Sequence, residues 1–267
     1  MIGGAEISCQ ETVRIGWNCG FDIRILSQAD PVEKIKAVME NSDLAIINNI
    51  FAFSEPQMKT ILSFIFNEQL PYVKYEHDHR ELQRKEFSRP LFQRSKLNVF
   101  LSPMHRDNHV KGLDCDGICL PLAIDTKRFY PVHDVSRETN FALVCNVRHF
   151  KTWANLQKYI TDHPEMRFRI MADQPMVAGD NVKFMRLVPY VDMARLYSEH
   201  DVLVHLLDGL GAGERVIFEA ALCGCRIVAN DGVGHMSWEK DLIDLEGLRA
   251  WLDAAPYQFW QEVEAVI

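Results

Sequence analysis

The sequence has no excess of positive charge and no long apolar run. Its 267 residues include 29 Lys and Arg against 37 Asp and Glu, which gives a net charge of −8. Because nucleic-acid phosphates are bound by basic surfaces, this balance argues against nucleic acid as the main partner. No apolar stretch reaches the length of a membrane span, and no charged and apolar leader opens the chain. We therefore expect a cytoplasmic protein.

The sequence also lacks a matched set of cysteines. It has seven, at scattered positions, and an odd number of this kind is typical of reduced thiols in a cytosolic protein. Cys115 with Cys119, or Cys223 with Cys225, could form half of a zinc site, but neither pair has a matching second half. Small buried thiols are the better interpretation.

The sequence does contain a regular alternation of predicted strands and helices. Runs of strand length alternate with helical patterns along the chain, as in parallel α/β layers. The alternation lapses in a polar, proline-containing segment at residues 125–140, and we place a domain boundary there. The predicted domains are residues 1–130 and residues 131–267. Two doubly wound lobes would place a ligand in the cleft between them, at the carboxyl ends of the strands.

Four of the predicted elements can be given bounds that the structure tests directly. The apolar pattern predicts a strand at residues 22–26 and a polar helix around residues 80–87. It also predicts two helices near the end of the chain, at residues 242–252 and residues 257–266.

The stretch from Asp208 to Gly234 carries the strongest functional signal. Three alternate glycines, the first of them Gly209, lead into an apolar helical pattern, and a buried strand follows at residues 226–229. A glycine loop that opens a helix leaves backbone N–H groups unpaired, which suits an anionic ligand. Glu219 is the acid within that helix, and it needs a partner, either a ligand hydroxyl or Arg215 one turn earlier.

The end of this stretch resembles the retaining glycosyltransferases of family 4. In that family a Glu-x7-Glu segment ends in Glu-Ala-x-x-x-Gly and is followed by a buried strand. Residues 219–224, Glu-Ala-Ala-Leu-Cys-Gly, match that ending, and Arg215 matches the family's arginine four residues before the second glutamate. Gly211 stands where the family has the first glutamate, with Asp208 and Glu214 nearby but out of register.

Three further segments extend the resemblance over nearly the whole chain. Residues 120–131, Leu-Pro-Leu-Ala-Ile-Asp-Thr-Lys-Arg-Phe-Tyr-Pro, resemble the family's junction between its two lobes. Arg148 and Lys151 follow a predicted strand and resemble the family's basic loop, whose cationic residues hold the donor diphosphate. Gly3 and Gly4 resemble the glycine loop after the first strand of the acceptor lobe.

The resemblance implies the GT-B fold, an α/β fold of two Rossmann-like, doubly wound parallel-sheet lobes with a cleft between them. The resemblance begins at the glycine loop, so we expect the N-terminal lobe to be shortened by one strand. A second copy of the chain could cover the edge that this leaves exposed, forming a homodimer. The N-terminal lobe would take the acceptor and the C-terminal lobe the nucleotide-sugar.

The activity implied by the resemblance is that of a retaining hexosyltransferase that needs neither a metal nor a cofactor. It would move a sugar from a UDP-, GDP- or ADP-linked donor to a hydroxyl of a glycan, lipid or small-molecule acceptor. The implied catalytic residues are His77, Arg148 and Lys151. The implied donor-binding residues are Gly3, Gly4, Gly211, Ala212, Gly213, Glu214, Arg215 and Glu219.

Alternatives remain open for the activity and for two segments. Because Gly211 replaces the first glutamate, a non-catalytic nucleotide-sugar-binding protein or partner subunit is the main rival, and a nucleotide-sugar epimerase is a third hypothesis. His77 and His79 flank Asp78 and could bind a metal. Side chains from one strand end converge poorly on an ion, however, so further ligands would be needed. The basic segment at residues 80–96 could contact an anionic acceptor or a membrane surface, or could simply be a solvated helical face.

Overall fold

The computed structural model describes residues 4–138, 140–145, 151–172 and 179–267. Contacts divide the chain into two compact units. The first contains residues 1–121 and 255–267, and the second contains residues 122–254. The division predicted at residues 130 and 131 differs from these units in two places, because the second unit begins at Leu122 and the end of the chain returns to the first.

The first unit contains a four-stranded parallel sheet. Its strands lie in chain order: β1 (Ala45–Ile47), β2 (Tyr72–Tyr75), β3 (Leu97–Phe100) and β4 (Ile118–Cys119). The helices that precede or connect them are α1 (Gly4–Asn18), α2 (Val32–Met39), α3 (Glu55–Phe66), α4 (Lys85–Gln93) and α5 (Pro103–Leu113). Each strand pairs with the next one along the chain, so the loops after β2 and β3 lie side by side at the carboxyl edge.

The predicted strand at residues 22–26 is wrong, since this segment has no regular secondary structure. A strand needs a hydrogen-bonded neighbour as well as an apolar alternation, and Ile25 is 55% exposed. The predicted helix at residues 80–87 is a short 3-10 helix, Arg80–Arg84, followed directly by α4. One face of α4 is buried through Ser88, Leu91 and Phe92.

The second unit contains a five-stranded parallel sheet with a crossover in its strand order. Its strands are β5 (Phe141–Val144), β6 (Arg167–Met171), β7 (Val182–Met185), β8 (Val202–His205) and β9 (Arg226–Ala229), and they lie in the order β7-β6-β5-β8-β9. The helices are α6 (Trp153–Asp162), α7 (Met193–Ser198), α8 (Arg215–Leu222) and the start of α9 (Leu245–Glu264). The strand order reverses between β5 and β8, which is where open α/β sheets bind their ligands.

Buried apolar side chains of α7, α8 and the central strands form the core of the second unit. Helix α8 is buried almost all round, and Ile217, Phe218 and Ala220 are each 0% exposed. A helix that is apolar on all sides can be accommodated only in an interior. This burial explains why its one internal acid, Glu219, must find partners within the protein.

The prediction of two helices at the end of the chain is wrong. The structure has one helix, α9, which runs through Pro256. Proline removes a helical hydrogen bond and costs about 3 kcal/mol in a helix interior. Burial of apolar side chains on both sides of the proline offsets that cost, with Leu252 at 0% exposure and Phe259 at 2%. In the first unit, Trp260 Nε1 also donates a 2.8 Å hydrogen bond to Thr12 O.

The cysteines and the lengths of the helices bear on the expected reduced thiols and on the expected lack of a membrane span. All seven cysteines are free thiols, of which Cys145, Cys223 and Cys225 are buried, whereas Cys19 is exposed. Among the described residues, no helix combines the length and the apolar character needed to cross a membrane.

Candidate functional site

The candidate site of the second unit lies at the carboxyl ends of β5, β8 and β9. The loop after β8 and the loop after β9 pack closely there, since Gly211 N–H donates a 2.8 Å hydrogen bond to Gly232 O. A Cβ on Gly234 would lie 2.2 Å from the carbonyl oxygen of Ala212, so only glycine permits this approach. The amide of Gly211 is therefore used inside the protein, and Ala212 is buried while Gly213 is partly exposed.

An ion pair joins the two sides of the strand crossover. Lys151, which follows β5, places its Nζ 2.8 Å from Oε1 of Glu214, which follows β8. The lysine side chain is 38% exposed and the glutamate side chain 10%. His205 Nε2 lies 3.8 Å from the other carboxylate oxygen, Oε2. The structure thus brings together two residues that the sequence places far apart and assigns to one site.

The charges around Glu214 keep it ionised despite its burial. Burial acts to raise the pKa of the Glu214 carboxyl, but Lys151 and, to a smaller extent, His205 hold that pKa below its usual value. Burial lowers the pKa of His205, so this ring is neutral at pH 7. The pair therefore consists of a carboxylate and an ammonium group, the latter partly open to water.

Glu214 also fills the space beside Gly211. A Cβ on Gly211 would lie 2.5 Å from Glu214 Oε1 and 2.5 Å from Leu207 Cδ1. The resemblance places the family's first glutamate at residue 211, and here the carboxylate of Glu214 lies next to that position. The sequence showed Glu214 only as an acid out of register, because linear spacing does not reveal how the loop folds back.

Asp208, in the loop after β8, is bonded to the segment after β5 that carries Lys151 and begins α6. Its carboxylate accepts hydrogen bonds from the backbone N–H groups of Ala154 (3.0 Å) and Asn155 (2.7 Å), at the first turn of α6. Its own N–H donates to the carbonyl oxygen of Lys151 at 2.8 Å. Asp208 therefore caps α6 across the crossover and fixes the backbone that carries Lys151.

Glu219 is buried and bonded on both of its oxygens. Arg215 Nε donates to Oε1 at 2.9 Å, and the hydroxyl groups of Tyr190 and Tyr197 donate to Oε1 at 3.0 Å and to Oε2 at 3.2 Å. Arg215 also donates to the carbonyl oxygen of Ala123 at 2.7 Å. The pairing with Arg215 that the sequence offered as an alternative is thus present. No local pattern pointed to the two tyrosines, which come from other elements.

The remaining predicted residues belong to the first unit or lie outside the described residues. Gly4 is the exposed first residue of α1, and His77 is half-buried after β2, with its ring edge-on to Tyr75 at 4.4 Å between centroids. Gly3 and Arg148 are not among the described residues, so their assignments stay predictions. The roles of the other predicted residues are predictions as well, now with a defined geometry.

A buried cluster of charge beside His77 was not predicted. Lys74 Nζ lies 2.5 Å from Glu76 Oε2 and 3.0 Å from Glu81 Oε1, and all three side chains are at most 1% exposed. Burial acts to lower the pKa of Lys74, but the two carboxyl groups raise it above its usual value. The available signal was a lysine inside the apolar run of a strand.

Three histidines lie beyond this cluster in the first unit. The ring of His79 packs against those of His105 and His109, with centroid separations of 4.7 Å and 5.5 Å. Burial lowers the pKa of His105 well below its usual value and that of His109 to about 4. The rings of His105 and His109 are therefore neutral at pH 7.

The fold is similar to that of solved glycosyltransferase structures, although the sequence itself has no significant match. No protein-family model and no curated protein matches the sequence significantly. Among solved structures, HepE of Anabaena in complex with UDP-glucose is similar, with a TM-score of 0.70 and 14% identity, over 100% of this chain and 96% of that one. The protein has the GT-B fold.

Two further structures support this assignment of the GT-B fold. HepE in complex with UDP and glucose has a TM-score of 0.63 and 17% identity, over 85% of this chain and 76% of that one. Sucrose-phosphate synthase from Thermosynechococcus elongatus has a TM-score of 0.63 and 15% identity, over 88% and 72%. The predicted GT-B fold, with two Rossmann-like parallel sheets, is therefore confirmed, and the candidate site occupies the strand crossover of its second unit.

Proposed function

We propose that the second unit binds a nucleotide-diphosphate sugar at the strand crossover and that the protein transfers the sugar to an acceptor hydroxyl. The observation that carries the proposal is the ion pair between Lys151 and Glu214, which joins the loops after β5 and β8. Similar solved structures were obtained with UDP or UDP-glucose, and one belongs to a sucrose-phosphate synthase. A UDP-linked donor is therefore the first candidate, ahead of GDP- and ADP-linked donors.

Lys151 is suited to contact the donor diphosphate. Its side chain is 38% exposed, and Nζ lies 2.8 Å from Glu214 Oε1, which holds it near the crossover. Charge-assisted hydrogen bonds to phosphate oxygens are stronger than neutral ones, and they strengthen as the leaving phosphate gains charge. Lys151, with Arg148 as its predicted partner, would stabilise that charge without a divalent cation.

Glu219 is suited to hold a ribose hydroxyl. Arg215, Tyr190 and Tyr197 fix the carboxylate in place, so it would not need to be ordered by the ligand. An ionised carboxylate accepts at roughly four positions. Oε1 accepts from Arg215 and Tyr190, whereas Oε2 accepts from Tyr197 among the described residues, so the ribose would donate to Oε2.

The finer features of the reaction are proposed from the family resemblance. The anomeric configuration of the sugar would be retained, with a hexose as the transferred group and His77 on the acceptor side of the reaction centre. Analysis of the product anomer by NMR checks retention. Addition of Mg²⁺ or Mn²⁺ should leave the transfer rate unchanged if the leaving phosphate is stabilised by side chains alone.

The second candidate function is binding of a nucleotide-sugar without transfer. The observation that favours it is Gly211, beside which the carboxylate of Glu214 is already paired with Lys151. A carboxylate engaged in this way is less available to the sugar. Purified protein that binds a donor but neither hydrolyses nor transfers it, across many acceptors, would support this candidate.

The first test of the proposal is the substitution Lys151→Ala. We expect it to weaken binding of UDP or of the preferred nucleotide-sugar by more than about tenfold, because a hydrogen bond to a charged group contributes roughly 1.5–3 kcal/mol and each 1.4 kcal/mol is tenfold. Isothermal titration calorimetry with UDP, GDP, ADP and their sugars measures the effect and identifies the base.

The matched control is Lys158→Ala on the outer face of α6. Lys158 is 74% exposed and pairs with Asp162 on its own helix, so its removal deletes one lysine from the helix that follows Lys151. The control variant should bind the nucleotide as the unaltered protein does. Equal affinities of the Lys151→Ala variant and the unaltered protein would contradict the assignment of Lys151.

A further inference from the structure

Three histidines of the first unit converge at the carboxyl edge of its sheet. His79 lies in the loop after β2, and His105 and His109 lie one turn apart on α5, which begins after β3. One ring nitrogen from each lies within 4.8 Å of those from the other two. We propose that His79, His105 and His109 bind a divalent transition-metal ion, with Zn²⁺ as the best match.

The local structure explains the convergence. Residues four apart on a helix share one face, so His105 and His109 point in the same direction. Ser102 begins α5, and its Oγ accepts a 3.2 Å hydrogen bond from the N–H of His105. Because β2 and β3 are adjacent strands, the loop that carries His79 lies beside the first turns of α5.

The outer hydrogen bonds match those of a metal site. His109 Nδ1 lies 2.9 Å from the carbonyl oxygen of His105, and His105 Nε2 lies 3.0 Å from the carbonyl oxygen of Asp78. Metal-binding histidines almost always donate their second ring N–H to a carbonyl or carboxylate, which fixes the ring and its tautomer. With these bonds in place, Nε2 of His109 and Nδ1 of His105 are the ring nitrogens that would bind the metal.

The ring of His109 gives independent support for a bound metal. Its Nε2 is buried and has no hydrogen-bond partner among the described residues, although a buried nitrogen of this kind normally has one. The Nδ1 of His105 accepts a 3.2 Å hydrogen bond from the N–H of Leu101, and metal binding would replace that bond. The exchange costs one weak hydrogen bond and gains a coordinate bond.

The ligand chemistry favours Zn²⁺. Imidazole suits zinc, copper, iron and nickel, and three histidine ligands with one open position are a known zinc arrangement. Tetrahedral zinc with Zn–N bonds of about 2.0–2.1 Å brings its ligand nitrogens to roughly 3.4 Å from one another. The present separations, within 4.8 Å, therefore need a closing movement of the rings of about an ångström.

A metal-free histidine cluster is the competing explanation. The rings of His105 and His109 pack on Phe100, with centroids 5.5 Å and 5.2 Å away, and this packing could account for their burial alone. Packing on Phe100 does not explain, however, why a nitrogen of each of the three rings lies within 4.8 Å of the other two.

The test titrates the metal-free full chain with Zn²⁺ by calorimetry and with Co²⁺ by visible absorption, without any nucleotide. We expect one ion per chain and a tetrahedral Co²⁺ spectrum. Loss of an outer partner typically weakens metal binding about 10–100-fold, so loss of a ligand in His109→Gln should weaken it by more than roughly 100-fold. His79→Gln, at a half-buried position, should have a similar effect with less disturbance of the core.

His200→Gln is the matched control. His200 is buried and its Nδ1 lies 2.8 Å from the carbonyl oxygen of Leu196, four residues earlier, as in His109. The control variant should keep full Zn²⁺ affinity, and Zn²⁺ should raise its melting temperature but not that of His109→Gln. Absence of Zn²⁺ binding, or equal binding by the His79→Gln and His200→Gln variants, would overturn the proposal.

Discussion

The two units share one architecture but accommodate buried charge in different ways. In the first, Lys74 is 0% exposed and lies between two acids that are each 1% exposed. In the second, Lys151 pairs with a nearly buried acid while 38% of its own side chain is exposed. A closed cluster is shielded from ligands by its burial, whereas an open pair leaves a cation available to one. The comparison therefore favours Lys151 over Lys74 for the proposed contact with a ligand.

The closed cluster is nearly neutral, and its ion pair, Lys74 with Glu76, is hydrogen-bonded within the protein. Burial raises the pKa of Glu81 to about 8, so at pH 7 it is largely protonated beside the ion pair of Lys74 and Glu76. Glu76 Oε1 accepts from the N–H groups of His77 and Asp78, each at 3.1 Å. Burying two ions is costly unless their remaining hydrogen-bonding positions are satisfied. These contacts satisfy that condition.

Among the variants that test this comparison, Lys74→Met should cause the largest loss of stability. The substitution leaves Glu76 as a buried carboxylate without its cation, which typically costs 3–5 kcal/mol. Hydrogen exchange of the β2 amides should show a corresponding loss of protection. The control, Lys59→Met, breaks an exposed pair with Glu55 and should change stability by about 0.5 kcal/mol or less. A Lys74→Met variant as stable as the control would show that the cluster is not structural.

The pH dependence of stability tests His235, which lies beside Glu214 of the open pair. Burial lowers the pKa of His235 from 6.5 to about 4, and its Nδ1 lies 3.0 Å from the carbonyl oxygen of Glu214. Between these two pKa values the unfolded chain binds a proton that the folded chain does not. The stability that His235 contributes above pH 6.5 is therefore lost as the pH falls towards 4, by about 3 kcal/mol.

The substitution His235→Gln removes this titration. We expect the free energy of unfolding, measured in urea at a series of pH values, to fall less steeply between pH 6.5 and 4 in the variant. His133→Gln, at an exposed position, should leave the slope unchanged. If the slopes of all three proteins coincide, His235 is not a neutral buried group.

The smallest expected effect concerns the loop that carries the open pair. A methyl group on Gly211 would contact Glu214 and Leu207 at 2.5 Å, so Gly211→Ala should displace Glu214 from Lys151 and cost about 1–3 kcal/mol. Gly209→Ala has no atom within 4 Å of the added Cβ and should cost much less. Urea unfolding compares the two variants. Equal stabilities would mean that the position of Glu214 does not depend on Gly211.

The sequence was a good guide to elements and a partial guide to sites. Apolar periodicity predicted the strand at residues 226–229, which is β9 at its observed bounds, because this signal is local. It failed where tertiary contacts decide, as at residues 22–26, which have no partner strand, and at Pro256, which the packing of α9 tolerates.

The site residues show the same limit. Lys151 and Glu214 could be named individually, but their contact depends on the strand crossover, which the sequence does not display. Tyr190 was missed because nothing local links it to Glu219. The spacing of His105 and His109 is readable, yet only the pairing of β2 with β3 brings His79 to them.

The capping of α6 by Asp208 has a consequence for selectivity. The positive pole of that helix already holds a fixed negative charge of the protein, with N–H···O distances of 3.0 Å and 2.7 Å. The N–H groups of Ala154 and Asn155 are therefore not available to an anion at the crossover, so the proposed donor would depend more on side chains. Side chains differ in reach and change easily by substitution, so the ligand preference of such a site could diverge while the scaffold stays the same.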